Sequence, residues 1–375
     1  MGKKITLTVL LRKLNLGAKL MRSFWRSLFK WITIVVGLLV LVEILCFIVI
    51  TASIYLIYGQ FREGEPVRYD ANALYINLHG VRPTAYNTSP DAKNLTTIWM
   101  FGGSTTRGIS ENDRETLPSF LARQLNQVPP AMTSRVVNFG VDGFNALMES
   151  KYLQKMLIES PKAPRLIMFY DGANDCAYFG QYRTPYAHHG YRQIKGVVES
   201  YHQSLMGMFK SLNAAWHTSF AWELYDKMRQ GVFAISPDDP ALKEYLDLAV
   251  KRYDYVDKVS RCFGAAYQLF WQPCWWVETA PVAPAVKAQE KKTIILGDRW
   301  ALQKNFVLVY NALFERLKDK PYFVDLRNIL CSRQEPVYES DGIHLNPTGD
   351  RMVAAKIGEF LKKKYGTPRG LAGRQ

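Results

Sequence analysis

The stretch TIWMFGGSTTRG, residues 97–108, passes without a spacer from five mostly apolar residues to two glycines and a serine. Residues 97–101 have the length and the aromatic and β-branched content of a buried strand. Gly102 and Gly103 permit a sharp turn, which sets Ser104 at the carboxyl end of that strand. Four further runs read the same way: residues 135–139 (RVVNF), 165–170 (RLIMFY), 266–271 (AYQLFW) and 322–326 (YFVDL). Amphipathic stretches at 114–127, 146–159, 240–262, 299–318 and 348–364 read as helices. Strands alternating with helices imply a parallel sheet covered on both faces, a three-layer α/β/α sandwich of flavodoxin-like type. This domain is expected over residues 96–366, interrupted by an insertion at about 176–240 rich in Tyr, Phe, Trp and His. Residues 277–292 (VETAPVAPAVKAQEKK) read as an irregular loop, and residues 367–375 as an unstructured tail.

Upstream lies a different kind of chain. Residues 31–58 (WITIVVGLLVLVEILCFIVITASIYLIY) carry one charge, Glu43. Crossing a bilayer takes roughly 20 apolar residues, so the run reads as a transmembrane helix, too long for the apolar part of a cleaved signal peptide. Residues 1–30 hold eight Lys and Arg and no acidic residue, more than half of the net +15. That block assigns positive charge to topology rather than to nucleic acid. It places 1–30 in the cytoplasm and everything beyond residue 60 on the far side. A bacterial inner membrane with a periplasmic domain fits best. Residues 59–95, polar and turn-rich, are expected to form a stalk, and Asn87 and Asn94 head glycosylation acceptor patterns. Glu43 is expected to meet a partner or water within the membrane or to be simply a tolerated charge near mid-span, with assembly on another membrane protein as the alternative. Of the five cysteines, Cys262 and Cys274 are spaced to close a short loop, but four external cysteines allow three pairings. No Cys/His spacing suggests a metal.

In an open parallel sheet, ligands gather beyond the carboxyl ends of the strands. Four polar clusters fall at such places: FGGSTTRG with Ser104, NFGVDG with Gly140 and Gly143, YDGAND with Asn174, and SDGIHLNPTG with Asp341 and His344. A serine hydroxyl needs a base to take its proton, and a neutral imidazole is the usual one. A carboxylate three residues earlier in the loop can hold that imidazole in one tautomer. An Asn amide and backbone N–H groups can then receive an oxyanion.

These four blocks, in this order, resemble those of the SGNH (GDSL-type) hydrolase superfamily. The resemblance implies Ser104 as nucleophile, His344 as base, and Asp341 as the residue that orients it. It further implies an oxyanion hole of Ser104, Gly143 and Asn174, and no cofactor. Gly140 competes with Gly143 for the glycine role; Gly143 has the better spacing from Asn138. Gly103 departs from the family's Gly-Asp-Ser form. Each block alone is an ordinary turn, and specificity comes from the set. The expected reaction is hydrolysis of an O-acyl, foremost O-acetyl, ester on a cell-surface polysaccharide or other acylated glycan or lipid-linked substrate. Acyl transfer through the same acyl-serine is the second enzymatic reading, and an inactive glycan-binding scaffold the non-enzymatic one. Arg107 is expected at the surface or a helix start, and His188 and His189 in a solvated loop. Phe270, Trp271, Trp275 and Trp276 are expected to pack as a core or lid, with sugar stacking as the alternative. Trp216, Phe220 and Trp222 fit a helical packing face.

Overall fold

The computed structural model describes residues 2–58, 66–127, 133–200, 210–230, 234–294 and 300–365. They form two compact units, one of residues 1–53 with 196–226, the other of 54–195 with 227–375.

In the larger unit five strands form one parallel sheet: β3 (Thr96–Gly102), β4 (Ser134–Gly140), β5 (Leu166–Asp171), β6 (Ala266–Trp271) and β7 (Phe323–Asp325). Their order is β4-β3-β5-β6-β7, so the strand bearing the Gly-Gly-Ser turn is paired on both sides. Side chains alternate across a strand, and the two faces feed separate cores. Trp99, Phe101, Ile167 and Phe169 face one layer of helices: α4 (Ala146–Glu159), α5 (Ala173–Tyr182), α9 (Pro240–Cys262) and α11 (Trp300–Leu317). Ile98, Met100, Leu166 and Met168 face the other, α3 (Leu117–Leu125) and α12 (Pro347–Tyr365). The sandwich expected from the sequence is thus present. The five strand positions hold to within a residue or so, and α4 and α9 begin and end where their patterns do.

Three expectations change. Residues 66–95 belong to the domain and form no stalk. There β1 (Val67–Asp70) and β2 (Leu74–Asn77) pair as an antiparallel hairpin whose Ala73 and Ile76 enter the core. Asn77 Nδ2 donates to Gly140 O, and Asn87 bonds both ways with the Val136 backbone at 2.8 Å. Polar side chains that look solvent-bound in sequence are here partners of a sheet edge, so the Asn87 amide is engaged internally. Residues 59–65 lie outside the described residues, as do 366–375, where the tail was expected. The irregular loop at 277–292 contains α10 (Pro284–Thr293), started by Pro284 at its first position. Its Glu290 is fully buried against Arg333, which no apolar period announces. The insertion begins later than residue 176, because α5 runs through Cys176 and packs against α11. All five cysteines are free.

The smaller unit contains most of α1 (Gly2–Tyr58), one continuous helix of 57 residues. No proline interrupts it, so the basic block and the apolar run share a single rod. The segment Met21–Leu56, in which an 18-residue window reaches a mean hydropathy of 3.0, is long and apolar enough to cross a membrane. The insertion contributes α6 (Tyr191–Ser200), α7 (Lys210–His217) and α8 (Phe220–Gln230).

Behind the sheet's carboxyl edge, Glu149 of α4 and Asp171 of β5 are buried side by side, with Asp175 of α5 nearby. Tyr253 donates to Asp171 Oδ2 at 3.1 Å, but no N–H or O–H reaches either Glu149 oxygen. A proton shared between the two carboxyls is what makes the pair tolerable. Burial first, and the neighbouring carboxylates next, push the pKa values of Glu149 and Asp171 well up. The folded chain therefore holds protons that the unfolded chain releases, and stability declines as pH rises above the ordinary carboxylate range. Glu149→Gln is expected to flatten that decline, measured by denaturant unfolding of the detergent-solubilised chain from pH 4 to 8; an unchanged slope would show that Glu149 does not hold the proton.

Candidate active site

Ser104 is the first residue of the short helix α2 (Ser104–Arg107), capped by Gly103 directly after β3. Its Oγ lies 2.7 Å from His344 Nε2, and His344 Nδ1 lies 2.5 Å from Asp341 Oδ2. Asp341 Oδ1 accepts the backbone N–H groups of Ile343 and His344, each at 2.9 Å. The loop holding both residues is closed on itself, with Glu339 N–H bonded to His344 O and Asn346 N–H to Val337 O. It is also pinned from outside by Trp275 N–H on Gly342 O at 2.9 Å. Asp341 is 3% exposed. Burial alone would push its carboxyl up, but the adjoining imidazole and the donors from His344 and Ile343 outweigh it and hold it at about 2. An ionised Asp341 requires a proton on Nδ1, which leaves Nε2 as an acceptor for the serine hydroxyl.

Asn174, second residue of α5, donates from Nδ2 to Phe144 O at 2.6 Å. The amide nitrogen carries two hydrogens, so one is fixed and the other is available. A Cβ at position 103 would fall 2.3 Å from Nδ2 and 3.0 Å from Phe144 O. Glycine at this position is what lets the amide sit against the serine's turn in this chain. Gly143 has φ +74°, and a Cβ there would meet His189 Cβ at 2.8 Å. Gly140 serves a different contact. A Cβ on it would lie 2.2 Å from Arg107 N, so it forms the seam between β4 and α2.

The structure thus brings Ser104, Asp341, His344 and Asn174 to one rim, with Gly143 in the turn beside Phe144. Arg107 is turned to Asp142, Nε to Oδ1 2.6 Å. His189 is exposed and lies over Gly143, while His188 bonds the His189 carbonyl at 2.7 Å. Phe270 and Trp271 are fully buried in the core, while Trp275 and Trp276 are half-buried: Trp275 donates from Nε1 to Glu290 and Trp276 packs edge-on against Phe306, so the four rings serve as core and loop support.

Several supporting residues escaped the sequence reading. Arg82 bonds the carbonyls of Arg107, Gly108 and Ser110 and pairs with Asp113, clamping the segment after the serine. Thr105 Oγ1 reaches Gln272 Oε1 at 3.3 Å. Asp175 accepts the N–H of Ala146 at the start of α4, tying α4 to α5. An arginine in a polar stretch gives no signal of such a role; only Asp175, beside Asn174 in the YDGAND cluster, stood where one was visible.

Because the Asp341 carboxyl is held below its ordinary range, it adds stability above about pH 4 that is lost as pH falls towards 2. Asp341→Asn is expected to cost about 2 kcal/mol near neutrality, with wild type and variant converging at the acid end of a denaturant-unfolding series.

Residues 98–357 match the family described as GDSL-like Lipase/Acylhydrolase. No curated protein matches the chain significantly. Solved structures similar to it include a lipolytic protein of the G-D-S-L family from Desulfitobacterium hafniense, 11% identical, with a TM-score of 0.36 over 72% of this chain and 98% of that one. The carbohydrate acetylesterase Est24 from Sinorhizobium meliloti is 16% identical, with a TM-score of 0.34 over 72% and 99%. The acetyl xylan esterase AlAXEase is 14% identical, with a TM-score of 0.37 over 71% and 99%. With the family match covering well over half of its length, the chain belongs to the GDSL-like lipase/acylhydrolase family of serine ester hydrolases.

Proposed function

We propose that this chain is a membrane-anchored serine esterase that removes an O-acyl group, foremost acetyl, from a cell-surface polysaccharide or glycolipid through an acyl-serine. The observation that carries the chemistry is the unbroken chain of short contacts from Ser104 Oγ through His344 to Asp341. Ser104 Oγ attacks the ester carbonyl while His344 Nε2 takes its proton. The carbonyl oxygen becomes an oxyanion, received by the second Nδ2 hydrogen of Asn174 and the backbone N–H groups of Gly143 and Ser104. Collapse breaks the bond to the alcohol, which leaves with the proton from Nε2. Water, deprotonated by the same imidazole, then attacks the acyl-serine, and the carboxylic acid departs as Ser104 regains its proton. Asp341 stays ionised throughout and holds the imidazole in place.

The anchor half of the reading rests on the apolar run 31–58, within the candidate span Met21–Leu56, and on the eight basic residues between 3 and 30, which orient the hydrolase domain outward. An outward-facing, tethered esterase meets acylated glycan or lipid-linked substrate first.

A fluorophosphonate probe is expected to label the segment around Ser104, located by mass spectrometry of the modified peptide. Ser104→Ala should abolish both the labelling and the hydrolysis of p-nitrophenyl acetate; if wild type turned over no faster than the variant, the esterase reading would fall. Asn174→Ala removes one oxyanion donor and should lower kcat about 10²–10³-fold. Gly103→Ala should approach that loss, since its methyl group displaces the same amide.

A further inference from the structure

Glu43 has a partner, and its geometry is specific. The Glu43 carboxyl accepts the backbone N–H of Phe220 at 2.7 Å on Oε2 and that of Ala221 at 3.3 Å on Oε1. These are the first two residues of α8, whose opening N–H groups have no acceptor inside the helix. The ring of Phe47, one turn along α1, meets that of Phe220 edge-on at 5.1 Å. Between Met21 and Ile50 of α1, Glu43, Cys46 and Ile50 are the residues that are not fully exposed, and their spacing puts them on one face. The insertion therefore docks on the apolar helix at its one acidic residue.

The docked piece is built for a medium without water. Residues 211–222 (SLNAAWHTSFAW) contain no Lys, Arg, Asp or Glu, and charges return only from Glu223 onward. The turn between α7 and α8 satisfies its own backbone. Thr218 N–H bonds Ala214 O, Ser219 N–H bonds Trp216 O, Trp222 N–H bonds Ser219 Oγ, and Glu223 N–H bonds Ser219 O. With the two bonds to Glu43, every N–H from 218 to 223 has an acceptor, which an irregular turn in lipid requires and one in water does not. Meanwhile Leu212 and Trp216 are 66% and 52% exposed, and Phe220 keeps 41% exposed beyond its contact with Phe47. Depth agrees with this. Counting from Lys30, the last of the basic block, Glu43 lies about 20 Å along the helix in an apolar layer about 30 Å thick. That leaves about 10 Å to the outer surface, within reach of α8, about 16 Å long.

We propose that the turn between α7 and α8 is immersed in the outer leaflet beside α1, held at depth by the Glu43 carboxyl, with the exposed Leu212 and Trp216 side chains in contact with acyl chains. The proposal rests on α1 being the membrane anchor. It gives the intramembrane acid a structural reason: a carboxyl among lipid is costly, and here it replaces water at two orphaned N–H groups.

The test uses the full chain in phospholipid vesicles, with an environment-sensitive fluorescent amino acid in place of Trp216, of Leu38 in α1, or of the exposed Glu359 in α12. Probes at Trp216 and Leu38 should both emit to the blue, be quenched by spin-labelled acyl chains and resist iodide, while the one at Glu359 does the reverse. Glu43→Ala should make the Trp216 probe several-fold more sensitive to iodide and leave the Leu38 probe unchanged. Glu43→Gln, which keeps an accepting oxygen, should retain most of the protection. Iodide access at Trp216 with Leu38 still in lipid would overturn the proposal and leave the anchor standing; it is also the outcome expected if the aromatic tip is meant for another protein. Iodide access at both positions would remove the anchor reading, and this proposal with it.

Discussion

The 2.7 Å contact between Ser104 Oγ and His344 Nε2 joins positions 240 residues apart in the chain. Nothing local holds them together, so the distance is set by the sheet and by the two loops that rise from its edge. On the serine side, β3 is paired along its length with β4 and β5, and the helix that begins at Ser104 is clamped by Arg82. On the histidine side, Asp341 fixes both the ring and the backbone of its own loop. A shift of an ångström on either side would break that hydrogen-bonding contact.

Buried charge is used on the histidine side as scaffolding. Arg333 is fully enclosed between Glu278 and Glu290, at 2.6 Å from each. An ion pair of this kind contributes little net stability, because desolvation offsets the attraction, but removing one partner costs about 3–5 kcal/mol. Its value lies in what it positions. Glu290 also accepts Trp275 Nε1 and the N–H of Val337, and Glu278 accepts the Tyr338 hydroxyl. The two residues that open the loop bearing Asp341 and His344 are therefore tied to the same cluster that steadies Trp275, and Trp275 in turn holds Gly342. The Trp-rich segment that suggested sugar stacking acts as a buttress.

How far the sequence reached depended on the kind of signal. Strands buried on both faces announce themselves as short apolar runs, and α4 and α9 announce themselves by amphipathic period, so the sandwich was legible in full. The residues that meet at the rim were legible as candidates too, because Gly-Gly-Ser, Gly-x-Asn-Asp and Asp-x-x-His stand at strand ends or before a helix in a recognisable order. Residues 66–95 were not. Their Asn77, Arg82 and Asn87 look like solvent-facing polar residues until a sheet edge and a carbonyl-rich turn are placed beside them. The α10 segment failed for a related reason: its inward residue is Glu290, and a period built on hydrophobicity reads a buried acid as surface.

The sequence by itself determined the layered α/β architecture, the apolar helix with its lone acid, and the identities of the serine, histidine, aspartate and asparagine. These follow from burial periodicity and from residue chemistry at turns, both of which are local. Only the tertiary structure decided which glycine abuts the asparagine's amide, which arginine clamps the turn after Ser104, and what the acid at position 43 bonds to. Those are contacts between segments tens to hundreds of residues apart, and a polar side chain carries no mark of its partner until folding brings the two within hydrogen-bonding distance.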